Sequence, residues 1–172
     1  QRMTGADWIY DLCEICQTRG YSLYLLGGEP GVASQTAVRL RALYPQLRIV
    51  GVDHGYFDAE GAENEEVVAS IAESQPDIVL VGMGSPRQEL WIHANAPRLD
   101  GPVVWAVGAM MDYVIGKKPR APRWMLAHGL EWLGRLLVEP RRLWKRYVLG
   151  NPLFLWRVVK QRLGWGPRRD VG

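Results

Sequence analysis

A chain of 172 residues, 48% of them hydrophobic, has enough apolar material for one folded domain or one domain with an appendage. Its formal net charge of +3 hides a split: residues 1–116 carry 7 Lys/Arg against 15 Asp/Glu, and residues 117–172 carry 14 against 3. The two cysteines form one C-x-x-C (Cys13, Cys16) with no second pair and no nearby His, which argues against a zinc or thioredoxin-type site and for two buried thiols in a reducing compartment.

Thr4-Gly5-Ala6-Asp7 reads as a T-x-x-D helix start and predicts a helix over 7–19 that Gly20 ends. A strand over 21–26 follows, turned by Gly27-Gly28-Glu29-Pro30-Gly31 into a helix over 32–44 that Pro45 closes. The next strand covers 47–52 and leads into a polar loop, residues 53–58; a helix over 63–74 comes after it.

Asp77-Ile78-Val79-Leu80-Val81 is short, apolar and β-branched, as a strand buried on both faces is. Gly82 and Gly84 permit a tight turn, Ser85 suits an N-cap, and Pro86 suits the first turn of a helix that runs to Ala96-Pro97. Two readings of this stretch stay open. Ser85 and Gln88 fit an S-x-x-Q capping box, and a helix start at the carboxyl end of a parallel strand is also a ready anion site. The dinucleotide fingerprint fails, since Arg87 stands where the third glycine belongs. Nor does an acidic residue close a second strand in the context a nicotinamide fold requires.

A last strand over 103–107 completes alternating strands and helices, hence βαβ units in a Rossmann-like α/β fold: a parallel sheet with helices on both faces. Right-handed crossovers then bring Gly27-Gly28, residues 53–58, residues 82–89 and the Gly108–Asp112 loop to one sheet edge, where such folds bind ligands. The longest uncharged run near the middle, Gly101 to Met111, is far short of the ~20 apolar residues of a bilayer span, so a soluble or peripheral protein is expected.

The character changes after Gly116. Residues 1–116 are read as the Rossmann-like ligand-binding core and 117–172 as a basic helical appendage holding five of the eight tryptophans. A linker over 117–123 precedes helices over 130–138, 140–149 and 152–163. In the second, Leu143, Trp144, Tyr147 and Val148 share a face, with Arg141, Arg142, Lys145 and Arg146 on another. The third carries Phe154, Leu155, Trp156, Val158 and Val159 almost without polar relief. Packing on the core and lying in an anionic lipid interface are the two readings of that appendage. A non-enzymatic module binding RNA or lipid headgroups is a further alternative, as is a nicotinamide-dependent oxidoreductase.

Taken together, Arg2-Met3-Thr4-Gly5-Ala6-Asp7, Leu25-Leu26-Gly27-Gly28, His54-Gly55-Tyr56-Phe57, residues 82–89, Gly108-Ala109-Met110-Met111-Asp112, Arg120-Ala121-Pro122-Arg123-Trp124 and the run from Gly129 to Arg142 closely resemble the WecG/TagA/CpsF glycosyltransferases (glycosyltransferase family 26). The resemblance implies an inverting, metal-independent enzyme that needs no cofactor. It would move an N-acetylmannosamine-like sugar from a UDP donor to a polyprenyl-diphosphate-linked sugar for teichoic acid or exopolysaccharide synthesis. It also implies a cytoplasmic location, peripheral on the inner face of the bacterial membrane, with self-association and no nucleic-acid partner. The absence of a D-x-D pair agrees with a site that uses fixed cations instead of a metal.

By resemblance, Gln88, Arg135 and Arg142 would be catalytic, the arginines clamping the departing diphosphate bidentately. Arg2, Thr4, Gly27, Gly28, Tyr56, Gly84, Glu89, Asp112, Lys145 and Arg146 would bind substrate, with Tyr56 and Asp112 at the nucleoside. No metal site is expected. The family's catalytic Asp lies in an Ala-Asp-Gly segment that no residue here matches, so the chain is expected to be a fragment or a crippled enzyme.

Overall fold

The computed structural model describes residues 5–117, 133, 144 and 150–162. The chain divides into two compact units, Gln1–Pro119 and Arg120–Gly172. In the first, the elements run α1 (Gly5–Arg19), β1 (Ser22–Gly27), α2 (Val32–Leu43), β2 (Arg48–Asp53), α3 (Ala62–Ser74), β3 (Ile78–Gly82), α4 (Arg87–Asn95), a 3-10 turn (Ala96–Arg98), β4 (Val103–Ala106) and α5 (Met110–Val114). The expected core elements are all present, with ends displaced by a residue or two. α5 is an addition, since residues 108–112 read as loop. Its Met110, Met111 and Val114 are buried, and that burial makes a five-residue helix worth forming.

Four parallel strands lie in the order β2-β1-β3-β4. All six residues of β1 are buried, as befits a central strand covered on both faces. Leu23 and Leu25 point to one layer, where Ile9, Cys13 and Cys16 of α1, Leu40 of α2 and Met111 of α5 close over them. Tyr24 and Leu26 point to the other, beneath Val68 and Ile71 of α3 and Trp91 of α4. The Rossmann-like expectation is met: parallel sheet, helices on both faces.

Register is set by side chains as well as by the ladder. At the amino edge, Asp77 Oδ2 accepts from the Ser22 amide at 2.6 Å and from the Ser22 hydroxyl at 2.7 Å, pinning β3 to β1. Between β1 and β2 the pairing slips by one at Leu23/Tyr24, which places Gly51 opposite Tyr24. A Cβ at Gly51 would lie 2.2 Å from the Tyr24 ring, so only glycine admits the phenol there. The Tyr24 hydroxyl donates to Asp53 and lies 2.8 Å from Ser70 Oγ. Burial first, and the Asp53 bond second, hold that phenol above its ordinary range.

One expectation is corrected here. β2 does end on an acidic residue, Asp53, but its carboxylate is turned under α3 toward Tyr24. Cys13 and Cys16 are buried and free, as expected. Burial pushes their thiols up to about 12 and about 11, aided by Cys16 and Asp77 respectively, which leaves them protonated and unreactive at neutral pH.

In the second unit, the helix Asn151–Arg162 has no buried residue. Phe154, Leu155 and Trp156 are 64%, 61% and 58% exposed, and Val158 and Val159 are exposed as well. The expected helices over 130–138 and 140–149 lie outside the described residues, Leu133 and Trp144 apart. Among the described residues no helix is long and apolar enough to cross a membrane.

Candidate functional site

Strand order places a topological switch point between β1 and β3, because the chain leaves β1 to one side and returns to the other through α3. Gly27 and Gly82 are register partners at that point. They allow three loops to meet backbone to backbone. A Cβ on Gly27 would fall 2.5 Å from the Gly82 carbonyl oxygen, and one on Gly82 would fall 2.8 Å from that of Gly108. The Gly28 amide donates to the Gly82 carbonyl at 3.0 Å, and the Gly55 amide donates to the Gly28 carbonyl at 2.8 Å. The β1–α2, β2–α3 and β3–α4 loops are thereby tied at the carboxyl edge.

A fourth loop joins through Gln88. This residue is 6% exposed; its Oε1 accepts from the Gly108 amide at 3.0 Å and its Nε2 donates to Glu89 at 2.9 Å. Gln88 therefore fastens α4 to the turn that opens α5. The capping-box reading is overturned: the residue before α4 is Pro86, no side chain caps the helix, and Ser85 makes no such bond. A cis Ser85–Pro86 peptide shapes the turn, and the Gln88 amide closes on the Gly84 carbonyl at 2.9 Å. Arg87 is spent on a neighbouring loop of the same edge. Its guanidinium donates to the Phe57 carbonyl and lies 5.8 Å from the Phe57 ring centroid, holding the β2–α3 loop.

Of the expected site residues, Gly27, Gly28, Tyr56, Gly84, Gln88, Glu89 and Asp112 lie on these loops or at the first turns they open. Tyr56 is 63% exposed, and its amide donates to His54 Nδ1 at 3.3 Å. Asp112 sits half-buried on α5. Arg2, Thr4, Arg135, Arg142, Lys145 and Arg146 lie outside the described residues. Among the described residues no group of three His, Cys, Asp or Glu is placed to hold a metal.

Lys117 was read as linker and is instead part of this edge. Its Nζ lies 2.5 Å from Glu29 Oε2 in the β1–α2 loop, and its amide donates to the Asp112 carbonyl at 2.9 Å. The Glu29 bond, reinforced by Asp112 and Tyr56, raises the Lys117 ammonium above the usual lysine range. The signal available in the sequence was Gly116, a left-handed terminator directly before Lys117. A cavity of about 280 Å³ beside α4, lined by residues including Pro86, Leu90 and Trp91, holds none of Gln88, Tyr56 or Asp112.

An open parallel sheet with glycine-joined loops at its switch point defines a Rossmann-like α/β protein. Residues 1–168 match the Glycosyl transferase WecG/TagA/CpsF family, and the chain belongs to it. It is 31% identical over 160 residues to an N-acetylglucosaminyldiphosphoundecaprenol N-acetyl-beta-D-mannosaminyltransferase of Bacillus subtilis (strain 168). That similarity covers 93% of this chain and 60% of the relative, so the chain spans about 60% of the relative's length.

Proposed function

We propose that this chain forms the nucleotide-sugar-binding part of an inverting, metal-independent glycosyltransferase. It moves an N-acetylmannosamine-like sugar from a UDP donor to a polyprenyl-diphosphate-linked sugar on the inner face of the membrane. The observation that carries this reading is the joined glycine backbone at the β1/β3 switch point, in a chain whose family and relative are glycosyl transferases. Close backbone approach at the carboxyl edge and the positive end of the α4 dipole suit a diphosphate.

In the transfer, the acceptor hydroxyl oxygen bonds to the anomeric carbon as the bond to UDP breaks on the opposite side. A base takes the hydroxyl proton; by resemblance it is the Asp of the family's Ala-Asp-Gly segment, which none of these 172 residues matches. The leaving diphosphate takes the electron pair, and Arg135 and Arg142, aided by Lys145 or Arg146, neutralise it. Tyr56 and Asp112 hold the nucleoside. Gln88 acts on the donor through the Gly108 turn that it fastens. The exposed apolar helix Asn151–Arg162, whose last turn carries Lys160 and Arg162, lies on the anionic lipid surface.

β2 ends on Asp53, the position a nicotinamide fold uses, but Tyr24 engages its carboxylate; the test includes both ligands. Calorimetric titration is expected to show saturable binding of UDP and none of NADH. Transfer to the lipid acceptor by the full-length protein is expected to survive a chelator. NADH binding without UDP binding, or activity lost to the chelator, overturns the proposal.

A further inference from the structure

Lys117 is held by main-chain geometry. Gly116 ends α5 at φ +73, its amide donates to the Tyr113 carbonyl at 3.2 Å, and the Lys117 amide donates to that of Asp112 at 2.9 Å. These are the two bonds of a Schellman motif, which reverses the chain at a fixed angle. The reversal sends the Lys117 side chain across the carboxyl edge to Glu29, 88 residues away in sequence, in the loop that leaves the switch-point strand.

The charges around it oppose a phosphate ligand. Residues 1–116 carry 7 basic against 15 acidic side chains, and Glu29, Glu89 and Asp112 all lie on carboxyl-edge loops or first turns. Four described arginines of this unit hold other partners: Arg87 the Phe57 carbonyl of the neighbouring edge loop, Arg41 the Ile49 carbonyl, Arg48 the Gly20 carbonyl and Arg98 the Glu65 carboxylate. The Lys117–Glu29 pair itself is open to solvent, its side chains 43% and 57% exposed, so water screens it and exchange of partners costs little. A diphosphate carries more charge than one carboxylate and wins the ammonium in that competition.

We propose that Lys117 is a nucleotide-phosphate-binding residue of the carboxyl-edge site, held on Glu29 until the donor's diphosphate takes its ammonium. The inference rests on the UDP reading above and adds to it a cation within the core unit. Glu29 then acts as a brake on nucleotide affinity, because its carboxylate competes with the ligand for the same ammonium.

The test is calorimetric titration of the whole chain with UDP, uridine and inorganic pyrophosphate. Lys117→Met is expected to weaken UDP and pyrophosphate binding about tenfold and leave uridine unchanged. Lys117→Arg is expected to restore UDP binding to within a few-fold of the parent. Glu29→Gln is expected to tighten UDP severalfold, the opposite direction from Lys117→Met. A merely structural tie would shift UDP the same way in both variants and would move uridine with it; that pattern overturns the proposal. Parent protein that binds UDP while Lys117→Met binds it equally well also overturns it. Parent protein that binds no UDP instead sinks the nucleotide reading itself.

Discussion

Ser22 and Asp77 show how much a single pair of polar residues settles. Asp77 directly precedes β3 and Ser22 begins β1, and their three hydrogen bonds lock the amino edge between the two strands. Those bonds, the Ser22 hydroxyl first and its amide second, hold the Asp77 carboxyl below the usual carboxylate range. A folded-state value below the unfolded ~3.9 means that the stabilisation is complete above that pH and is lost as pH falls through the folded value. Asp77→Asn is therefore expected to lower Tm at neutral pH and to flatten its fall as pH drops below about 4. Parallel Tm–pH curves for parent and variant would show that the carboxylate carries no such linkage. None of this was legible beforehand, because Ser22 and Asp77 are 55 residues apart and read as ordinary strand-edge residues.

At the scale of elements, the turn between β3 and α4 is legible in the sequence, and of its two readings the capping box falls. Composition around Ser85 and Gln88 matched a capping box, yet Pro86 precedes α4 and Gln88 is spent on Gly108 instead. Local rules describe the bonds a residue can make to its own helix, and a buried amide is free to choose a distant partner. Gln88→Ala leaves the Gly108 amide without its acceptor and is expected to cost about 1–3 kcal/mol in urea denaturation. Gln88→Glu keeps that acceptor but sets a second carboxylate beside Glu89, so it is expected to recover part of the loss at low pH, where the carboxyls are protonated. Unchanged stability in Gln88→Ala would remove the latch between α4 and α5. α5 itself escaped notice because five residues are too few to show a helical period; Met110, Met111 and Val114 form it by being buried against α1 and α2.

For the whole molecule, the consequential feature is an acidic core unit joined to a basic, tryptophan-rich remainder. A helix that displays Phe154, Leu155 and Trp156 to solvent is costly to leave uncovered, and Lys160 and Arg162 in its last turn suit the anionic lipid surface proposed for it. Substituting both Phe154 and Trp156 with Glu is expected to reduce co-sedimentation with anionic vesicles about tenfold or more while leaving UDP affinity unchanged. Equal sedimentation of parent and variant would remove this helix from membrane binding.

The order of strands and helices, the buried central strand and the glycine turn could all be read along the chain, since hydrophobic period and backbone-permissive residues act over a few neighbours. The family could be read as well, because its motifs keep their order from Arg2 to Arg142. Contacts between loops were beyond that reading. The crowding of Gly27, Gly82 and Gly108, the turning of Asp53 under α3 and the reach of Lys117 to Glu29 join residues far apart in sequence. Such pairings follow from how four strands and their crossovers pack, and packing is a property of the assembled layers that no short stretch of sequence contains.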